Sequence, residues 1–209
     1  MKKCISILPV LLSFISVGQI FSISCDKENV IYIGVDNPLT IAVENITAKS
    51  IAVKTDNGTI AGSNGFYNFR PKAIGPATII LYRVMNGNLK EIGKKSFRVK
   101  RIWNPVFKIG SGKDSISKKE LQAQQFVRAE LEGSDFDLKF SIESFVVCVF
   151  SKDTCKYVET VNKGNKIGQE MWEMLQKVKN YDTILFKEIV CIGPDGKRKI
   201  EPKVVTVIE

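Results

Sequence analysis

Between residues 26 and 100 the chain reads as short apolar alternations, cut at close intervals by turn signals. That punctuation leaves room for little except a stack of short strands. The alternating runs fall at residues 30–35, 39–43, 50–54, 59–60, 66–69, 77–83 and 95–100. Breakers sit at Asp36-Asn37-Pro38, Asp56-Asn57-Gly58, Asn64-Gly65, Gly75-Pro76 and Asn86-Gly87. Pro38 has no N–H and biases Asn37 towards an extended backbone. Asn-Gly pairs tolerate positive φ and favour tight hairpins. No long helical period appears, so the spacing predicts a β-sandwich.

After residue 105 the pattern changes. Arg101-Ile102-Trp103-Asn104-Pro105 reads as a junction, with Trp103 either between two domains or closing the first core. Ser117-Lys118-Lys119-Glu120 matches a capping box and predicts a short helix to Gln124. Strands are expected at 126–131, 138–150, 156–161, 183–192 and 204–208. A helix is expected over 168–178, where Met171, Met174, Leu175 and Val178 share one face. Such a stripe is more often core than a partner-binding groove. Gly193-Pro194-Asp195-Gly196 is a strong turn leading into a basic return segment. The fold class expected is mostly β: two consecutive Ig-like β-sandwich domains, 19–101 and 102–209, the second with two short helices.

The N-terminus has the charge and hydropathy of an export leader. Met1-Lys2-Lys3 precedes an apolar run, and Ser16 and Gly18 are small residues at −3 and −1 of a cleavage site. Residues 1–18 then form a signal peptide and the mature chain begins at Gln19. A second reading makes Cys25 a lipidated lipoprotein cysteine, after Ser24. A third leaves the run from Cys4 to Ser24 uncleaved as a membrane anchor, close to the ~20 residues a spanning helix needs.

The net charge is +9, and +7 once the two leader lysines are removed. Basic residues are scattered, with clusters at Lys94-Lys95, Lys118-Lys119 and Lys197-Arg198-Lys199. In an exported protein these serve solubility and strand-edge protection, or a docking face for an acidic partner. Nucleic acid is not an expected partner. Of five cysteines, Cys4 leaves with the leader. Cys25, Cys148, Cys155 and Cys191 remain, with three possible pairings in an oxidising compartment. Cys148 and Cys155 flank Ser151-Lys152-Asp153-Thr154, so a hairpin that sets them opposite each other predicts a disulfide.

The chain contains no histidine, which removes Ser-His-Asp and Cys-His catalysis. It has no Gly-rich phosphate loop and no Cys-x-x-Cys, so neither cofactor nor metal is expected. Asp135 and Asp137 share a strand face, with Glu132 nearby, but a solvent-facing pair accounts for them better than a calcium site.

Several ordered segments resemble the C-terminal region of the GldM/PorM family of gliding motility and type IX secretion. They are Val30-Ile31-Tyr32-Ile33-Gly34-Val35-Asp36-Asn37-Pro38, Phe69-Arg70-Pro71-Lys72 and Phe97-Arg98-Val99-Lys100-Arg101, followed by Ile116-Ser117-Lys118-Lys119-Glu120-Leu121. Asp135-Phe136-Asp137-Leu138-Lys139-Phe140, Gly164-Asn165-Lys166 and Gly193-Pro194-Asp195-Gly196 complete the set. The resemblance implies the two β domains at the distal end of a rod that crosses the periplasm to an outer-membrane ring. The family's motor helix, helical domain and further β domain have no counterpart in this sequence, so motor coupling is not implied.

The expected function is therefore a non-catalytic, exported interaction module of the periplasm or outer membrane, docking to an envelope protein. Its expected contact surface is the 193–196 turn with Lys197, Arg198 and Lys199. The alternative is a carboxylate-based envelope glycan hydrolase, which a deep cleft with two facing carboxylates would favour.

Overall fold

The computed structural model describes residues 21–25, 29–134, 136, 138–154 and 156–209. The leader reading of residues 1–18, the Asp135–Asp137 pair and Cys155 lie outside the described residues.

The first half holds eight strands: β1 (Phe21–Cys25), β2 (Val30–Tyr32), β3 (Asn37–Val43), β4 (Ile51–Thr55), β5 (Thr59–Ser63), β6 (Phe66–Arg70), β7 (Gly75–Met85) and β8 (Asn88–Lys100). They form two four-stranded sheets in the orders β1-β3-β6-β5 and β2-β8-β7-β4. The period-two alternation decides which side chains meet. In β3, Leu39, Ile41 and Val43 turn inward while Thr40 and Ala42 face water. They join Ile23, Tyr67, Phe69, Ile79, Leu81, Phe97 and Val99 in one apolar core.

Strands β7 and β8 run well beyond the expected 77–83 and 95–100. Asn86 and Gly87 both take positive φ, +48° and +81°, so the tight turn carries the ladder to its end. Strand β1 was not expected. Its apolar residues read as the tail of the leader, yet Ile23 is buried and pairs with Ile41.

The second half begins with β9 (Val106–Lys108), β10 (Ser115–Ser117), α1 (Lys118–Gln122) and β11 (Arg128–Glu130). It continues with β12 (Ser141–Phe150), β13 (Tyr157–Lys163), α2 (Gln169–Gln176), β14 (Thr183–Gly193), β15 (Gly196–Lys199) and β16 (Lys203–Ile208). The N-cap half of the capping box forms: the Ser117 side chain accepts a hydrogen bond from the Glu120 N–H at 3.1 Å, while the Glu120 carboxylate accepts from the Ser111 N–H at 2.8 Å. The short strands β9 and β10 have too few residues to show an alternation and were not expected.

One six-stranded sheet, ordered β10-β16-β14-β12-β13 with β15 beside β14, dominates this half. One of its faces is covered by the β9–β11 ribbon and both helices, rather than by a full second sheet. Phe107, Phe145 and Phe186 meet at the centre, with ring centroids 4.8–5.9 Å apart. Met171, Leu175 and Val178 belong to this core, as the helical stripe implied, with Met174 packed against it. The other face of the sheet is left open. Among the described residues no helix is long and apolar enough to cross a membrane.

Candidate docking surfaces

The turn at 193–196, expected to carry an exposed basic loop, has an exposed tip but buries the Asp195 carboxylate and Arg198. Strands pair Ile192 with Lys197, Cys191 with Arg198 and Val190 with Lys199. Successive side chains alternate faces, so Lys197 and Lys199 point to water and Arg198 cannot. Arg198 is buried, as is the Asp195 carboxylate with which it forms an ion pair three residues away. Its guanidinium donates to the carbonyls of Ile102 at 2.9 Å and Trp103 at 3.2 Å. It also lies 5.5 Å from the Phe140 ring centre. Arg198 therefore faces inward, where it clamps the 101–105 segment to the second half. Lys197 is exposed and paired with Glu143.

The first half meets this turn through its opening motif. Asn37 is buried, and its side chain accepts from the Tyr32 N–H at 2.9 Å and donates to the carbonyls of Tyr32, Val35 and Phe69. That fixes the bend over residues 32–37. Gly34 sits at its tip with φ +82°, so close that a Cβ there would lie 2.6 Å from the Pro194 carbonyl oxygen. Arg101 adds a cation 3.5 Å from Asp195. Trp103 stands between the two halves, edge-on to Tyr32 at 6.2 Å and donating to the Glu132 carbonyl at 3.1 Å.

The cysteine geometry also differs from expectation. Across from Cys148 in the β12–β13 ladder is Glu159, not Cys155. Cys148 and Cys191 are buried free thiols. Burial pushes the Cys148 thiol pKa up, helped by its hydrogen bond to Glu159 at 3.3 Å. The facing-pair geometry that motivated a Cys148–Cys155 bridge is thus not the register this hairpin uses, because the ladder starts at Phe150↔Tyr157.

What remains exposed is the far edge of the large sheet. Strand β13 ends the sheet and, among the described strands, pairs with β12 alone. Tyr157, Val158 and Val161 are 60%, 57% and 61% exposed. On the helix side of this edge, Val149, Val158, Met174 and Val178 line a cavity of about 240 Å³ rimmed by Lys156, Lys177 and Lys179. Sequence reasoning missed this edge because Tyr157-Val158-Glu159-Thr160-Val161 carries no motif, only β-propensity. Its signal is positional, since an end strand is recognised only once the sheet order is known.

The chain is mostly β, with two separate apolar cores. The chain belongs to the GldM family: the family model for the GldM third domain matches residues 20–100, and that for the GldM C-terminal domain matches residues 92–209. The family consists of envelope components of gliding motility and type IX secretion. No curated protein matches the chain. Among solved structures, domains 4 and 5 of the S-layer protein SbsC match at 12% identity and a TM-score of 0.30, covering 90% of this chain and 98% of that one. A Bacteroides ovatus mixed-linkage glucan utilization protein, SGBP-B with a bound heptasaccharide, matches at 11% identity and a TM-score of 0.25, covering 84% and 49%. Nothing about this chain rests on either likeness.

Proposed function

We propose that this protein is an exported, non-catalytic docking module of the gliding and type IX secretion apparatus. It would comprise two domains joined at residues 101–105 and bind another envelope protein through the second domain. The observation that carries this reading is the family match, which runs through both halves. The open sheet face and edge of the second half support it, since exposed apolar surface marks interaction sites.

Soluble export, with cleavage before Phe21, fits better than a lipid anchor at Cys25. Processing at Cys25 would remove residues 21–24, and with them Ile23, which is buried in the first core. It would also remove the Ile23 carbonyl that accepts from the Lys95 ammonium at 2.7 Å. A helical anchor reaching Ser24 conflicts with the same strand. N-terminal sequencing of the mature protein should begin between residues 19 and 21. A lipid-modified Cys25 at the N-terminus would overturn this part.

The docking role is tested in the native envelope by placing a photo-crosslinker at single exposed positions in each half. Crosslinks to outer-membrane ring proteins are expected from second-half positions such as Val204. The reading fails if second-half positions capture no component of the secretion apparatus.

A further inference from the structure

We propose that the β13 edge, together with the cavity beside it, accepts an extended, acidic-flanked strand from the partner protein. This rests on the docking reading above and names the chemistry of its site.

Three observations meet at this edge. Every second residue of an end strand turns its N–H and C=O away from its neighbour, which is a template for one more strand. The opposite end of the same sheet is not such a template: β10 has three residues and its Ile116 is buried. The open part of β13, Tyr157 to Val161, has no proline, and three of its five residues are well-exposed apolar side chains. Beside it lies the 240 Å³ cavity with apolar walls. Added strands gain affinity from backbone hydrogen bonds and specificity from pockets that take alternate side chains. A branched aliphatic side chain suits this one.

Charge selects the occupant. Lys156 and Lys163 flank the strand, and Lys156 and Lys177 rim the cavity. None of these three is in an ion pair among the described residues, whereas Lys187 is held by Glu159 and Lys179 by Asp153. The nearby acids are engaged: Glu170 by the Thr160 hydroxyl, Glu173 by the Gln169 amide, and Asp182, which lines the cavity, by the N–H groups of Lys152 and Lys179. A second copy fits less well. Paired antiparallel with itself about Thr160, β13 would set Gly164 opposite Lys156 and Tyr157 opposite Lys163, so a second copy offers neither lysine an acidic partner.

The test uses the mature chain and three capped nine-residue peptides. The first has glutamate at both ends and alternating valine and threonine between; the second has lysine for glutamate; the third has a central proline. Fluorescence anisotropy should show the acidic peptide binding about tenfold or more tighter than the other two, and weakening with salt. The charge-swapped variant K156E/K177E, at two exposed positions, should reverse the preference between acidic and basic peptides. Equal binding of the acidic and basic peptides, or an unchanged preference in the variant, overturns the proposal. So does a solution dimer abolished by Val158→Asp, which would make a second copy the occupant. If the peptides fail while crosslinks from other second-half positions still reach the ring, the edge is wrong and the docking reading stands.

Discussion

Two hairpins of the same sheet, β14–β15 with its basic return and β12–β13 with balanced charge, end up with opposite roles. The first has the stronger motif, Gly193-Pro194-Asp195-Gly196 followed by three cations. Its tip sits close against Gly34, and its middle cation holds residues 102 and 103. The second has no motif and leaves five residues of edge open. The difference teaches that a run of charges in a strand is two half-runs on opposite faces. A basic triplet therefore presents either one outward cation or two, never three. It also shows that a marked turn serves to fit close against another part of the chain as readily as to be seen from outside.

The hardest way to break this comparison is to remove Arg198. Deleting one partner of a buried ion pair strands the other charge, at a cost of about 3–5 kcal/mol. Arg198→Ala should lower the urea midpoint by that equivalent, and Arg198→Lys should not restore it, because a single ammonium cannot reach Asp195 and two carbonyls together. Lys197→Ala and Lys199→Ala should stay within about 0.5 kcal/mol. Equal costs across the three would show that the turn is not the clamp its geometry describes.

The next largest effects come from the other side of the junction. Asn37→Ala removes a side chain with four hydrogen bonds in the 32–37 bend and should cost about 1–3 kcal/mol. Gly34→Ala forces a side chain into left-handed backbone and against Pro194, with strain of about 1–3 kcal/mol. Limited proteolysis sharpens the reading. Both variants should expose the 101–105 segment to cleavage at lower protease concentration than the parent. Cleavage that first appears inside β3 or β7 would instead assign these residues to the first core alone.

Much of this fold was legible. The turn signals at Asn64-Gly65 and Asn86-Gly87, the Ser117–Glu120 capping box and the Met171–Val178 stripe each act locally, within one turn or one helical face. What was not legible depends on a distant partner. Strand β1 is apolar enough to pass for the end of a leader, and only its pairing with β3 reveals it. The inward face of Arg198 follows from the register with β14. The pairing of Cys148 with Glu159 follows from a ladder that opens at Phe150 and Tyr157. The edge position of β13 depends on the order of the whole sheet. The first half of the opening motif was legible as a break, but the reason for it, room for Pro194, lies about 160 residues further along the chain.

A smaller effect separates the two hairpins by their thiols. Cys191 lies opposite Arg198 in the clamped hairpin, and Cys148 lies opposite Glu159 beside the open edge. Both are buried, so labelling requires local opening, and edge strands open at lower free energy than clamped ones. Under native conditions a thiol reagent, read by peptide mass mapping, should reach Cys148 before Cys191. In Arg198→Ala the order should narrow or reverse. A parent protein in which Cys191 labels first would break the comparison.

The smallest expected effect is no effect at all across neutral pH. The carboxyl pKa values of Asp56, Glu130 and Glu159 are held below the ordinary range, chiefly by the Thr78 N–H, by Arg128 and by Lys187 respectively. A lowered carboxyl contributes stability above its unfolded value near 4 and loses it as pH falls through the folded value. The thiols behave in the opposite sense. Burial raises the pKa of both Cys148 and Cys191, so their contribution is full below an unfolded value near 8.5 and is lost as pH rises. With no histidine in the chain, no side chain has an ordinary titration between these limits. The urea midpoint should therefore be level from about pH 5.5 to 7.5 and fall on both sides. The alkaline fall should diminish in Cys191→Ala more than in Cys148→Ala, because Cys191 is the more deeply enclosed and gains more from staying neutral. A midpoint that slopes through pH 6–7 in the parent would break this expectation by showing a perturbed acid or amine inside that window.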